Sequence, residues 1–108
     1  MPRNARNERL PKERDIVREI MRALGELPGC YAIKTHGDPF TRAGTPDIIG
    51  AYRGRAFAFE VKRPGGKPTA LQVHELERWR QAGAVVGVVT SAESAIRALR
   101  DAEEEDEG

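Results

Sequence analysis

The chain has 108 residues, a formal net charge of +1, 39% hydrophobic residues and 32% charged residues. This length suits one domain with a modest core, and no apolar run approaches the roughly 20 residues of a membrane-spanning helix. The single cysteine, Cys30, excludes an internal disulfide and favours a reducing compartment. Residues 1–14 are basic and lack the apolar segment of a secretory signal, so we expect a cytoplasmic protein.

The charges are distributed unevenly along the chain. Residues 1–67 hold 14 Lys/Arg and 8 Asp/Glu, whereas residues 68–108 hold 4 and 9. A basic first half is typical of proteins that bind a polyanion. Six of the acids lie in the last eight residues, DAEEEDEG, and we interpret residues 101–108 as a disordered acidic tail. Its expected role is solubility, and the alternative is self-inhibition by mimicry of a nucleic acid.

In chain order, the pattern predicts a mobile basic arm over residues 1–10 and a single domain over residues 11–100. The domain begins with a helix from Pro11 to about Leu27, whose apolar residues recur at spacings of three and four. The later elements are strands 31–35, 47–52 and 55–62, helix 69–82, strand 84–90 and a last helix. This order, α-β-β-β-α-β-α, predicts an α/β fold with a mixed central sheet flanked by helices. The apolar strand 84–90 is expected to be central and parallel to a neighbour.

The most informative segment is the pair of strands joined by Arg53 and Gly54. Gly54 can supply the positive φ that a two-residue hairpin turn requires. With this turn, the antiparallel ladder places Asp47 opposite Glu60, with Cβ atoms roughly 4.5–5.5 Å apart. Lys62 lies two residues beyond Glu60 and therefore projects from the same face of the sheet. Two carboxylates and an ammonium group are thus expected on one patch.

The carboxylate pair Asp47 and Glu60 suits a divalent cation, because two like charges this close repel each other. An all-oxygen site favours a hard ion, so Mg²⁺ or Mn²⁺ is the expected cofactor, with the Val61 backbone carbonyl as a further ligand. Substrate phosphate often completes Mg²⁺ sites, which indicates phosphodiester chemistry. Lys62 would act on the attacking water or on charge that develops on the phosphate. The alternative is an exposed Glu60–Lys62 surface pair without a chemical role.

Other residues are candidates for the same site. Glu13 lies in the first turn of the first helix, at the edge of its apolar stripe. It either follows the preference of acids for a helix N-terminus or supplies a third carboxylate. Lys34 and Arg42 flank the loop that leads into the hairpin, and Arg63 and Lys67 follow its second strand. These four basic residues are candidate phosphate contacts.

Two polar residues have simpler interpretations. Thr69-Ala70-Leu71-Gln72 matches a capping box, in which Thr69 caps the second helix and the Gln72 side chain reaches back. His36 lies in a loop, where a histidine is usually solvated, and we do not count it as a ligand.

The motif residues resemble those of the PD-(D/E)XK nuclease superfamily: GTPDIIG at residues 44–50, EVKRPGG at residues 60–66, and Gln72. Within it, residues 11–100 are most similar to the stand-alone VRR-NUC domains of phage and bacterial genomes. The resemblance implies a restriction-endonuclease-like core and a Mg²⁺- or Mn²⁺-dependent DNA endonuclease in a bacterial host or encoded by a phage. It also implies a homodimer that acts on branched DNA, as Holliday junction resolvases do, and active-site roles for Glu13 and Gln72.

Two other classes of function remain as alternatives. One is a catalytically inactive DNA-binding accessory module, and the other is a purely structural small domain. The presence of Asp47, Glu60 and Lys62 together favours the enzyme, because an inactive copy could have lost any of them. Metal-dependent cleavage of DNA discriminates between these classes.

Overall fold

A computed structural model describes residues 10–36 and 41–107 of the chain, with the backbone alone for Glu107. The helices in this part of the chain are α1 (Glu13–Gly25), α2 (Ala70–Gln81) and α3 (Ala92–Glu107), and the strands are β1 (Cys30–Lys34), β2 (Ile48–Tyr52), β3 (Arg55–Val61) and β4 (Val85–Val89). Their order, α-β-β-β-α-β-α, confirms the predicted α/β fold. The predicted arm over residues 1–10 lies outside the described residues apart from Leu10.

The strands form one mixed sheet in the order β1-β2-β3-β4. The pairs β1–β2 and β2–β3 are antiparallel, and β3–β4 is parallel, as expected for a strand that follows a crossover helix. The prediction that β4 is central was wrong, because among the described strands it lies at an edge. Its continuous apolar sequence has another cause, since both α2 and α3 pack against β4.

The core lies between the sheet and helices α1 and α3. Its largest buried side chains come from one face of each element: Ile16, Ile20 and Leu24 of α1, Ile48 of β2, Phe57 and Phe59 of β3, and Leu99 of α3. Burial of each such side chain contributes roughly 1.5–3 kcal/mol, so this cluster anchors both helices. None of the helices within the described ranges is long and apolar enough to cross a membrane.

The hairpin turn has the predicted geometry. Arg53 and Gly54 have φ angles of 50° and 84°, which are the two positive values of a type I′ turn. Tyr52 consequently pairs with Arg55, and the ladder continues in this register to the far end of β2. The strand boundaries differ slightly from the prediction, because β2 begins one residue after Asp47 and β3 ends at Val61.

The C-terminal segment differs more strongly from the prediction. The prediction of a disordered tail was wrong for residues 101–107, because these residues continue α3 as a helix. Two of its acids bind the arginines of the hairpin: Arg53 donates to Glu103 at 3.0 Å, and Arg55 donates to Asp106 at 2.9 Å. These partners lie 50 and 51 residues away in the sequence, so the composition of the tail alone could not indicate them.

Candidate active site

The open end of the β2–β3 hairpin brings Asp47 and Glu60 together. The last ladder pair is Ile48 with Phe59, so Asp47 and Glu60 occupy the next position, as the register predicts. Asp47 lies close enough to Glu60 to raise the pKa of the Glu60 carboxyl group. The structure therefore places the two acids side by side, where the turn geometry predicts them.

Contacts with Thr35, the residue that follows β1, set the position of Asp47. The Thr35 hydroxyl donates to the Pro46 carbonyl at 2.5 Å, and the Thr35 N–H donates to the Asp47 carbonyl at 3.0 Å. In a continued ladder the Pro46 carbonyl would accept the Val61 N–H. Because that carbonyl is already bonded, the Asp47 carboxylate takes its place, and Oδ2 accepts the Val61 N–H at 2.7 Å. A backbone donor thus orients this carboxylate.

Glu60 is a buried acid beside a lysine. The Lys62 Nζ lies 3.6 Å from the Glu60 Oε2, and the two side chains are 13% and 2% exposed. Burial raises the pKa of Glu60 from 4.5 to about 8; the neighbouring Asp47 adds to the rise, and the Lys62 ammonium opposes it. The Glu60 Oε1 is buried and has no hydrogen-bond partner among the described residues. The alternative of an exposed Glu60–Lys62 surface pair was therefore wrong.

The donor set fits a divalent cation. A buried carboxyl with an unpartnered oxygen, next to a second carboxylate, is stabilised in its charged form by a cation. The Val61 N–H faces Asp47, so the Val61 carbonyl lies on the same side of β3 and could supply a third oxygen. Across residues 10–36 and 41–107, no group of three or more His, Cys, Asp or Glu residues could hold a metal ion. Water or phosphate would complete the coordination, as is common for Mg²⁺.

A cavity of about 370 Å³ opens beside Asp47. It is lined by residues of α1, the end of β1 and the loop that follows: Glu13, Arg14, Val17, Lys34, His36 and Asp47. Glu13 and Asp47 thus line the same cavity, and the role of Glu13 as a third carboxylate stays a prediction. Lys34 is exposed at this cavity, where its charge would meet a bound phosphate.

His36 contacts Asp47, which the sequence did not indicate, although the position of His36 beside the site made it a candidate for a phosphate or base contact. Its Nε2 contacts the Asp47 Oδ1, while the Val61 N–H donates to Oδ2. Both oxygens of Asp47 consequently have protein partners. No local motif predicts this contact.

Arg42 is tied to the helix that follows the hairpin. Its guanidinium lies 3.3 Å from the buried Glu75 carboxylate of α2, which also contacts Arg78 at 3.5 Å. The Arg42 side chain is nevertheless 69% exposed. The ion pair fixes the loop before Asp47 against α2, and a DNA contact by Arg42 stays a prediction.

The remaining candidates lie after β3. The capping box of α2 is confirmed, since the Gln72 Oε1 accepts the Thr69 N–H at 2.9 Å and the Gln72 N–H donates to the Thr69 hydroxyl at 3.2 Å. The Gln72 side chain is therefore engaged in the cap, and its role in the site stays a prediction. Arg63 is partly buried and Lys67 is exposed, and their DNA contacts are likewise predictions.

Gly44→Ala should destabilise the protein more than Gly54→Ala. Both glycines have positive φ, 83° and 84°, so alanine strains the backbone by roughly 1–2 kcal/mol at either position. A Cβ on Gly44 would lie 2.7 Å from the Leu71 Cγ of α2, whereas nothing lies within 4 Å of one on Gly54. This overpacking should add about 1–3 kcal/mol to the decrease in the free energy of unfolding of Gly44→Ala, as measured by urea unfolding. Equal losses would contradict the packing of this loop on α2.

No protein-family model matches this chain, and no curated protein matches it in sequence. The fold and the site define an α/β protein with a buried carboxylate pair and a lysine at the open end of a hairpin. The function must therefore be inferred from these residues and their geometry.

Proposed function

We propose that this protein is a Mg²⁺- or Mn²⁺-dependent DNA endonuclease that hydrolyses phosphodiester bonds. One observation carries the proposal: Glu60 is buried beside Asp47, its Oε1 has no partner in the described part of the chain, and Lys62 lies 3.6 Å from its other oxygen. To bury Glu60 in its charged form beside Asp47 is costly unless a cation binds. The motif resemblance to PD-(D/E)XK nucleases, and to VRR-NUC domains in particular, supports the same function.

Each residue has a distinct part in this chemistry. Asp47 and Glu60 would hold the metal ion with their carboxylates, Val61 would add its carbonyl, and Glu13 would act from the other side of the cavity. When bound, the ion supplies Lewis acidity at the phosphate and lowers the pKa of a bound water. Lys62 would orient the attacking water or neutralise the charge that develops on the phosphate. Gln72 would help to position the same groups.

The substrate is inferred from the predicted DNA contacts. Lys34, Arg42, Arg63 and Lys67 are suited to phosphate, which carries no sequence information. Selection would then depend on DNA shape, and we propose branched or junction DNA as the substrate and a homodimer as the active form, as in the family that the motif resembles. A cytoplasmic location in a bacterium or a phage-infected host belongs to the same proposal.

A catalytically inactive DNA-binding module is the second candidate. The observation in its favour is that both Asp47 oxygens already have protein partners, His36 and the Val61 N–H. An incoming cation would have to compete with His36 for Oδ1. Such competition would weaken metal binding, and in the extreme case the protein would bind DNA without cutting it.

A cleavage assay on a panel of DNAs separates the two candidates. Forked, flapped, four-way and plain duplex DNAs are incubated with the protein and Mg²⁺ or Mn²⁺, and products are resolved on denaturing gels. We expect cleavage that is strongest on a branched substrate and is lost in Asp47→Ala, while Asp47→Ala still binds the same DNA in EDTA. Tight binding without cleavage under either metal would instead establish the inactive module.

A further inference from the structure

The tip of the β2–β3 hairpin carries two arginines that pair with acids at the C-terminal end of α3; their side chains are 60% and 38% exposed. Arg53 Nη1 donates to Glu103 Oε2 at 3.0 Å, and Arg55 Nη1 donates to both carboxylate oxygens of Asp106 at 2.9 and 3.0 Å. The Tyr52 hydroxyl donates to the other Glu103 oxygen at 3.3 Å. The three donor side chains thus bind all four oxygens of two carboxylates.

These guanidinium groups are also held by contacts that do not involve α3. Arg55 Nε donates to the Gly83 carbonyl at 3.2 Å. The Arg53 guanidinium carbon lies 5.6 Å from the centroid of the Tyr52 ring, within the range of a cation–π interaction. If the end of α3 moved away, both groups would keep their positions and present their Nη1 donors to solvent.

The end of α3 is attached weakly. Leu99 is the last residue of α3 whose side chain is buried, within the range for which burial is described. A cavity of about 190 Å³ lies between the hairpin tip and the helix end. The last turn of α3 contains no basic residue, and acids at a helix C-terminus oppose the helix dipole. Exposed ion pairs stabilise a fold only weakly, so a competing anion can displace this end.

We infer that Arg53 and Arg55 form a second nucleic-acid-binding surface, hereafter the hairpin-tip surface, whose guanidinium donors the end of α3 occupies by mimicking DNA. Glu103 and Asp106 are three residues apart on a helix, so their Cβ atoms lie about 5–6 Å apart. Each carboxylate presents two acceptor oxygens to the donors of the hairpin tip, as a backbone phosphate would.

The hairpin-tip surface is separate from the carboxylate site. It lies at the turn end of the hairpin, about 20 Å along β2 from Asp47 at roughly 3.3 Å per residue. DNA phosphates that bind the same Nη1 donors must first displace Glu103 and Asp106, so the end of α3 acts as a competitor that weakens DNA binding. The inference rests on the proposed function in taking DNA as the polyanion.

The test compares two variants that remove the same charge from α3. Glu103→Gln/Asp106→Asn uncovers the hairpin-tip surface, whereas Glu93→Gln/Glu104→Gln alters an exposed acid paired with Arg97 at 2.7 Å and a second exposed acid. Affinity for a labelled duplex is measured by fluorescence anisotropy in EDTA over a range of salt concentrations. The uncovered variant should bind about tenfold more tightly at low salt, with a salt slope steeper by about 1.8 for two added phosphate contacts. The control should gain at most about twofold, with an unchanged slope.

Two further measurements keep the inference testable if a variant folds poorly. Arg53→Gln/Arg55→Gln should cancel the gain in the uncovered variant. In the native chain, duplex binding should accelerate hydrogen exchange of the amides of residues 101–107. Equal affinities of the uncovered and control variants, or unchanged exchange, would overturn the inference, as would a lack of duplex binding by the uncovered variant. Because these assays contain no metal, absence of cleavage by the native protein would overturn the nuclease proposal alone.

Discussion

Lys62→Ala is expected to reduce the rate of DNA cleavage by roughly 10²–10³-fold, while duplex affinity in EDTA changes by less than about threefold. The Lys62 side chain is 13% exposed and lies beside Glu60, so its charge acts where little water screens it. It would therefore stabilise charge that develops on the phosphate more strongly than an exposed lysine does. The measurement is the single-turnover rate with saturating protein and Mn²⁺ or Mg²⁺.

Lys12→Ala is the matched control for Lys62→Ala. Lys12 is an exposed lysine at the N-cap of α1, where its side chain makes no capping hydrogen bond. We expect Lys12→Ala to cleave DNA at the native rate. A native rate in Lys62→Ala, or an equal loss in both variants with their folds intact, would exclude the role assigned to Lys62.

The second large effect concerns Glu60 and pH. Burial and Asp47 raise the pKa of Glu60 to about 8 in the folded protein, from an ordinary value of 4.5. A raised pKa in the folded state stabilises the fold fully below about pH 4.5, and this contribution is lost as the pH rises through about 8. The metal-free native protein should therefore lose up to about 1.4 kcal/mol of stability per pH unit in this window. Glu60→Gln should remove this dependence in urea unfolding measured at several pH values.

Glu60→Gln should also abolish stabilisation by metal. At 100 times its dissociation constant, Mn²⁺ would stabilise the native protein by about 2.7 kcal/mol, which is on the order of 10 °C in melting temperature. The shift should increase towards pH 8, because binding of the cation displaces the Glu60 proton. Glu75→Gln is the control, since it removes another buried glutamate, one that pairs with arginines.

The control separates loss of the metal site from general destabilisation. Glu75→Gln should lower the melting temperature in the absence of metal, because Arg42 and Arg78 lose their partner, yet retain the Mn²⁺ shift. Thermal unfolding followed by circular dichroism measures both quantities. An Mn²⁺ shift in Glu60→Gln as large as in the native protein would place the cation elsewhere.

The structural features that depend on interactions between residues close in the sequence could be predicted. The two-residue turn at Arg53 and Gly54 needs two positive φ angles, and once it forms, the pairing of every later residue of the hairpin follows. The cap of α2 depends on Thr69 and Gln72, which are three residues apart. The apolar stripe of α1 is likewise a property of one short segment. In each case the partners that decide the structure lie close together in the chain.

Other features depend on partners that are distant in the sequence. β4 was predicted to be central because it is apolar throughout, but among the described strands it lies at an edge, where α2 and α3 both contact it. His36 and Asp47 are eleven residues apart in the sequence and meet only in the folded protein. The acidic end of α3 was predicted to be disordered because its like charges repel, whereas in the structure it is helical and pairs with Arg53 and Arg55 of the hairpin.

The candidate site likewise combines features set by residues close in the sequence with features set by distant ones. The hairpin segment alone is enough to place Asp47, Glu60 and Lys62 at one open end, because a two-residue turn sets the register. The burial of Glu60, the rise of its pKa to about 8 and the lack of a partner for one of its oxygens within the described residues depend on the rest of the fold. Those properties come from the elements that surround the hairpin and exclude water from it, and no pattern within the hairpin specifies them.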